Sequence, residues 1–579
     1  MVYKIADNII SPIGTTTAEN YAAVKAGRSA LHKYVGKWDI PDPICASLFS
    51  DEQNETIHID GLTRFESLVV SSVRQATEGV SFDITDKNVV FLLATTKANV
   101  ELLGTPVSSL SDYPGESAQR ICHALGITTV PIVVSNACIS GLHAIITGCR
   151  LLESGLYTHA IVCGADVLNR FVVSGFQSLK ALSDDVCKPF DMERIGLNLG
   201  EAAATIVLST TDGLESRPWS IVSGSVHNDA YHISAPSKHG EGAYLCLSET
   251  LQAIKPNDIA FVNAHGTATL FNDQMESVAI ERAGLSDIPV NALKGYYGHT
   301  LGAAGVMETL LSMCSIDDHT VLGTKGFDEL GVSGKIRLSS NHEATDKECF
   351  VKMISGFGGC NAALVAGRKS CDELRVTSDE LRVRSDELRV TEKVRITPEG
   401  ATLNNQPIEG LGHGKELLTS LYKEYVNDYP KYYKMDGLSK LGFIASELLL
   451  HGERGFKTES CDKEDATYGQ CAIVLFNHSS SICADQQYLE SIQDKDNYFP
   501  SPSLFVYTLP NIVTGEIAIR NGFNGETSFY ILPDRDEDAI RQVVEATMLD
   551  KNINSMITGW IDYENDEHFM ADLKLSIKS

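Results

Sequence analysis

Residues 129–166 read TVPIVVSNACISGLHAIITGCRLLESGLYTHAIVCGAD. The first part, TVPIVVSNA (129–137), is a near-continuous apolar run and predicts a strand covered on both faces. CISGLHAIITGCRLLESG (138–155) switches to helical spacing. THAIVCGAD (158–166) returns to a buried strand, and VVFLLATT (89–96) upstream is another. Strands alternating with helices predict an α/β fold with a mainly parallel sheet. Cys138 stands where strand gives way to helix. Unpaired N–H groups at such a turn stabilise a thiolate and can cradle an oxyanion. Ala137, Ser140 and Gly141 beside it are small and leave room for a substrate. A buried structural cysteine is the plain alternative for any one of 14 cysteines.

The whole chain has 579 residues, enough for three to four folding units, with ordinary globular hydrophobic and charged content. Its net charge of −28 argues against binding nucleic-acid backbones or anionic membranes. The opening MVYKIADNIISPIGTTTAEN lacks the pattern of a secretory leader, and no run of about 18 apolar residues occurs, so neither leader nor membrane span is expected. No C-x-x-C occurs, which argues against a zinc site or a disulfide scaffold and for a reducing cytoplasm.

Two histidines follow predicted strands in loops rich in Gly and Thr. His265 lies in FVNAHGTATLFND and His299 in LKGYYGHTLGAAGVMETL. Ligands in α/β folds bind at the carboxyl ends of strands, so both are candidates, although a lone histidine is more often structural. Thr267 and Thr269 bring hydroxyls near His265. Lys294 precedes His299 by five residues and Glu308 follows it by nine. GFGGCNAAL (356–364) is a glycine-rich turn before an apolar strand.

Six ordered motifs resemble the β-ketoacyl-acyl-carrier-protein synthases of the thiolase-like superfamily over roughly residues 1–369. They are SPIGTT (11–16), NACISG (136–141), KPFDMERIGLNLGEAAA (188–204), NAHGTAT (263–269), KGYYGHTLGAAG (294–305) and GFGGCNA (356–362). The Cys-His-His set is similar to that of elongating synthases; initiating ones carry Cys-His-Asn. The resemblance implies a thiolase-like α/β fold, two βαβαβαββ halves (about 1–210 and 211–369) in five αβαβα layers. It implies Cys138 as acylated nucleophile, with His265 and His299 holding the malonyl thioester and the enolate left by loss of carbon dioxide. Lys294 would support them, paired with Glu308. Thr267 and Thr269 would bind the phosphopantetheine arm. The N–H groups of Cys138 and Phe357 would form the oxyanion hole, with Phe357 also gating the acyl pocket. No metal and no bound cofactor are implied. An acyl carrier protein would bring the phosphopantetheine in trans, because no D-S-L attachment site is present.

Residues 372–390, DELRVTSDELRVRSDELRV, repeat D-E-L-R-V every seven residues. Leu and Val two apart do not make a heptad seam, so 370–394 is expected to be a charged linker. Beyond it the chain echoes its beginning. GLTRFESLVVSSVRQA (61–76) parallels GLSKLGFIASELLLHG (437–452), NVVFLLATTKA (88–98) parallels QCAIVLFNHSS (470–480), and HAIVCGADV (159–167) parallels NSMITGWID (554–562). Matching Ala144-Ile145 to Ala539-Ile540 sets Cys138 against Pro533. Residues 395–579 are therefore expected to be a third, degenerate thiolase-like half without a nucleophile, resembling a truncated chain-length factor. By the family comparison it would take the partner position of a synthase dimer; a homodimer with this half docked outside is the alternative.

The expected activity is decarboxylative condensation of an acyl thioester with malonyl-acyl carrier protein. Fatty-acid and polyketide elongation are both open, and the fused half resembles polyketide or aryl-polyene arrangements. The alternatives are a non-catalytic chain-length-factor scaffold, and a thiol acyltransferase or hydrolase that would leave His299 and Lys294 unexplained.

Overall fold

Apolar strands flanked by capped amphipathic helices recur three times along the chain, and each set assembles in the same way. The structure is a computed structural model that describes residues 1–105, 113–211, 217–368, 388–454, 470–494 and 498–578. The first unit contains β1 (Val2–Ile10), α1 (Arg64–Thr77), β2 (Val89–Ala94), α2 (Pro114–Leu125), β3 (Ile132–Val134), α3 (Ser140–Glu153), β4 (His159–Asp166), α4 (Arg170–Ser178) and β5 (Ala202–Ser209). β2 runs parallel to β3 and β4, while β5 runs antiparallel to β4 and β1, giving the order β3-β2-β4-β5-β1. α1 starts at a capping box, Thr63 with Glu66, which satisfies two otherwise orphaned N–H groups.

The second unit has β6 (Trp219–Asn228), α5 (Glu241–Thr250), β7 (Ile259–Asn263), α6 (Leu270–Arg282), β8 (Pro289–Asn291), α7 (Ala304–Asp317), β9 (Cys349–Ser355) and β10 (Cys360–Gly367). Its order, β8-β7-β9-β10-β6, repeats the first with the same directions. α3 and α7 pack against each other between the two units, α1 covers the outer face of the first and α5 that of the second. This is the five-layer thiolase-like arrangement. The two central helices meet through glycine. A Cβ on Gly141 would lie 2.6 Å from the Gly302 carbonyl, and one on Gly305 would lie 2.2 Å from the Leu142 nitrogen. Only backbone contact brings the Cys138 turn and the His299 turn this close.

The third unit comprises β11 (Leu388–Thr397), α8 (Gly437–Arg454), β12 (Ala472–Asn477), α9 (Ile482–Gln493), α10 (Pro502–Tyr507), α11 (Ile512–Asn521), β13 (Thr527–Ile531), α12 (Glu537–Thr547), β14 (Ser555–Asn565) and β15 (His568–Lys578). Its order, β13-β12-β14-β15-β11, is that of the first unit again. The boundary differs from the expected linker. Most of the D-E-L-R-V tract lies outside the described residues, but 388–394 belong to β11, whose Val394 and Ile396 are buried. The strand starts early because β15 needs a partner along its length, and the last repeat supplies it.

β13 pairs antiparallel with β3, setting Tyr530 opposite Val134 and Ile531 opposite Val133. The sheet of the third unit thus continues that of the first, edge to edge. Polar side chains pin the junction. Asn136 donates to the Thr527 carbonyl at 2.6 Å and accepts from the Phe529 N–H at 2.9 Å. Arg150 pairs with Glu526 at 2.6 Å and Asp550 at 3.2 Å. No helix among the described residues is long and apolar enough to cross a membrane.

Candidate active site

Cys138 follows β3 in a tight turn before α3. Ala137 takes φ 48°, a left-handed value that costs a residue with a Cβ and turns the next side chain out of the strand. His265 lies two residues past the end of β7, His299 follows β8 after the short Lys294–Tyr297 helix and Gly298, and the Gly356–Gly359 turn links β9 to β10. The reactive atoms of Cys138, His265 and His299 lie within 4.8 Å of one another. The two imidazoles stand nearly perpendicular, with centroids 4.8 Å apart. A Cβ on Gly356 would lie 3.2 Å from the Cys138 nitrogen, so the glycine turn packs closely on the Cys138 backbone.

His299 Nδ1 accepts the Leu301 N–H at 3.2 Å, which puts its proton on Nε2, where no protein atom receives it. His265 leaves Nδ1 unpartnered. Burial, reinforced by Lys294 and Lys352, holds both histidines well below their usual pKa, so they are neutral donors. Burial pushes the Cys138 thiol up to about 12, and Lys294 partly offsets this. The N-terminus of α3 pulls in the same direction as Lys294.

Lys294 bonds Glu308 at 2.7 Å and the His265 carbonyl at 2.7 Å. Lys352 bonds the other oxygen of Glu308 at 2.5 Å. Glu276 accepts the N–H groups of His265 (2.7 Å) and Gly266 (2.8 Å). Asp166 accepts from Thr95, from Thr96 and from the Gly302 N–H, tying the His299 turn to the end of β4. Its pKa is raised to about 6 by burial. Cys and two His form a conceivable metal ligand set. The positive field of two buried lysines opposes a cation there and favours developing negative charge.

A cavity of about 390 Å³ leads from the surface to these groups, lined by Cys138, His265, His299, Thr267, Thr269 and Phe357 among others. Thr267 and Thr269 share a hydrogen bond of 2.9 Å between their hydroxyls. Ile195, Leu270 and Phe271 leave the mouth apolar. Behind Phe357 lies a void of about 20 Å³, enclosed by Val172, Phe176, Phe505 and Leu509, with Cys138 on one side and Lys97 on the other. Two of these side chains come from the third unit. Asn511, also from that unit, donates to the Phe357 carbonyl at 2.8 Å. A separate cleft of about 340 Å³, lined by Phe49 and Arg64, holds none of these groups.

Every residue expected from the motifs is in or directly behind this one site. Lys294 and Glu308 do not line the cavity; they pair with each other behind it. Sequence reading missed Lys352, Glu276, Asp166, Asn511 and Phe505, none of which stands in the six ordered motifs.

The model of the β-ketoacyl synthase N-terminal domain matches residues 79–213, and that of the C-terminal domain matches 220–328. A 3-oxoacyl-[acyl-carrier-protein] synthase 2 of Rhizobium meliloti is 35% identical over 254 residues, 41% of this chain and 60% of that protein. The Coxiella burnetii synthase of the same name is 26% identical over 404 residues, 62% of this chain and 96% of that protein. Among solved structures, the PfaC keto synthase-chain length factor aligns with all of this chain and 78% of its own, at TM-score 0.75 and 13% identity. That last likeness is one of fold, and it includes the third unit.

Proposed function

Because the chain belongs to the β-ketoacyl synthase family, we propose that it condenses an acyl group held on Cys138 with a malonyl thioester, losing carbon dioxide. The observation that carries this reading is the meeting of the Cys138 thiol with two neutral, buried imidazoles at the end of one cavity. Thiolate and oxyanion need donors of one kind, and an enolate needs them in a second place; the site offers both.

In the first stage Cys138 Sγ attacks an acyl thioester, and the departing carrier thiol takes the proton. In the second, the malonyl carbonyl oxygen lies toward His265 and His299. The C–C bond to the carboxylate breaks, carbon dioxide leaves, and the bonding pair becomes an enolate held by the imidazole N–H groups. The enolate carbon attacks the acyl-Cys138 carbonyl. Its oxygen takes the charge against the N–H groups of Cys138 and Phe357. Collapse expels the Cys138 thiolate and leaves a β-ketoacyl thioester. Lys294, neutralised in part by Glu308, places positive charge beside this chemistry. Thr267 and Thr269 line the approach and suit the amides of a phosphopantetheine arm, which needs no cofactor bound beforehand.

The partner that delivers the arm is an acyl carrier protein, as the names of both curated relatives indicate for those proteins. The third unit takes the place of a dimer partner, supported by the β3–β13 pairing and by its side chains behind Phe357. Pro533 where a nucleophile would stand leaves it a structural partner. The reducing cytoplasm suits a free catalytic thiol.

Intact-protein mass spectrometry with a panel of acyl-carrier thioesters tests this. One acyl adduct is expected, absent in Cys138→Ala. His299→Ala should keep the adduct and lose carbon dioxide release from malonyl thioester. An adduct that survives in Cys138→Ala overturns the assignment.

A further inference from the structure

Lys352 is a buried cation that no step above uses. It lies in β9, in CFVKMIS (349–355), a strand buried at every position. A methionine would fill that space with no charge to desolvate, so an ammonium here calls for a task. Glu308 already has Lys294. What Lys352 adds is its second bond, to the Ala264 carbonyl at 3.3 Å.

Two peptide groups flank His265. The one before it has its C=O, from Ala264, on Lys352 and its N–H on Glu276. The one after it has its C=O, from His265, on Lys294 and its N–H again on Glu276. Both peptide planes are therefore held at both ends, and the two lysines are locked together through the two oxygens of Glu308. Resting on the ketosynthase reading above, we propose that Lys352 is a positioning residue for His265, fixing the imidazole where the enolate forms and contributing positive field to that point.

The groups facing Lys352 are Glu308 on α7, Lys294 before His299, Glu276 on α6 and, beyond them, both histidines. Burial lowers the Lys352 pKa to about 8, against the pull of Glu308. Its charge is thus lost as pH rises through that value, and the decarboxylation stage loses its support there, while acylation does not.

Lys352→Met separates the stages. Acylation is read by mass with butyryl-pantetheine, and decarboxylation by carbon dioxide release from malonyl-pantetheine, both across pH 6 to 9.5. The variant should acylate within about two-fold of wild type and release carbon dioxide about 100-fold more slowly, the scale of a misplaced catalytic group. Wild type should show an alkaline limb near pH 8 on decarboxylation alone, and the variant should lack it. Lys352→Gln, which keeps a donor, should recover part of the rate. Unchanged decarboxylation in Lys352→Met overturns the proposal, as does equal loss of both stages, which would mark a structural role. Should the variant not fold, a wild-type profile without the decarboxylation-specific limb overturns it. A wild-type chain that neither acylates nor decarboxylates overturns the ketosynthase reading itself, a result distinct from all of these.

Discussion

Phe505→Ala tests whether the third unit closes the acyl end of the site. The ring is 3% exposed and wedges between Phe176, at 5.6 Å between centroids, and Tyr488, at 5.3 Å. It packs directly on Gly175, where a Cβ would come within 2.0 Å of it. The void it bounds holds about 20 Å³, no more than a small group beyond Cys138. Truncation to alanine opens about 100 Å³, on the order of three to four methylenes. The same change removes buried ring contacts and should destabilise the chain by about 3–5 kcal/mol, read by denaturant unfolding. The assay is competitive acylation with butyryl to dodecanoyl thioesters, followed by intact mass. Wild type should favour the short end, and the variant should shift its optimum by roughly three to four carbons, matching the volume gained. A folded variant that loads short donors like wild type and gains nothing with longer ones would show that the acyl chain leaves Cys138 in another direction.

Arg150→Met leaves Glu526 and Asp550 buried without their shared partner, and should cost about 3–5 kcal/mol in denaturant unfolding, because uncompensated charge is the expensive product of breaking such a pair. Burial alone would raise the Glu526 pKa, yet Arg150 and His143 hold it well below the ordinary carboxylate range. Its stabilisation is present above the unfolded pKa of about 4.5 and fades as pH falls below it. Asp550, raised to about 6 by burial, runs the other way, so the Glu526 share is read from wild type minus Glu526→Gln, a difference that should shrink on acidification. Lys97 and Asp485 pair at 2.5 Å across the units, both buried. Lys97→Met alone should cost about 3–5 kcal/mol, and Lys97→Met with Asp485→Leu should regain most of it in a double-mutant cycle of melts.

The nucleophile, both histidines and the glycine turn are legible in sequence because each needs an unusual local backbone. Left-handed Ala137, the backbone contact at Gly302 and the turn at Gly358 leave short, small-residue signatures beside a reactive side chain. Lys352 leaves none. Its backbone is plain strand, and its partner Glu308 is 44 residues upstream on a helix. Asn511 and Phe505 act on the site from more than 140 residues beyond the last motif, through tertiary packing alone. The third unit is legible by its parallels at α8, β12 and β14. Its docking edge is not legible, because an antiparallel junction of two residue pairs requires no motif on either strand.

In the first unit the inner sheet face is covered by α3 and α7. β5 there is buried at every residue. In the third unit, α12 stands where α3 does, and β15 alternates. Phe569, Ala571, Leu573 and Leu575 are buried on one side, while Met570, Asp572 and Lys574 on the other are only partly covered. β11 matches it, with Lys393 opposite Lys574 and Arg395 opposite Asp572. Arg535 adds a 2.9 Å pair to Asp572. β15 thus has one buried and one part-exposed face, where its first-unit counterpart β5 is buried on both. The apolar face of the third unit packs toward α8 and its edge pairs with β3. It meets the neighbouring site through that edge and through Phe505, Leu509 and Asn511, which close the space behind Phe357.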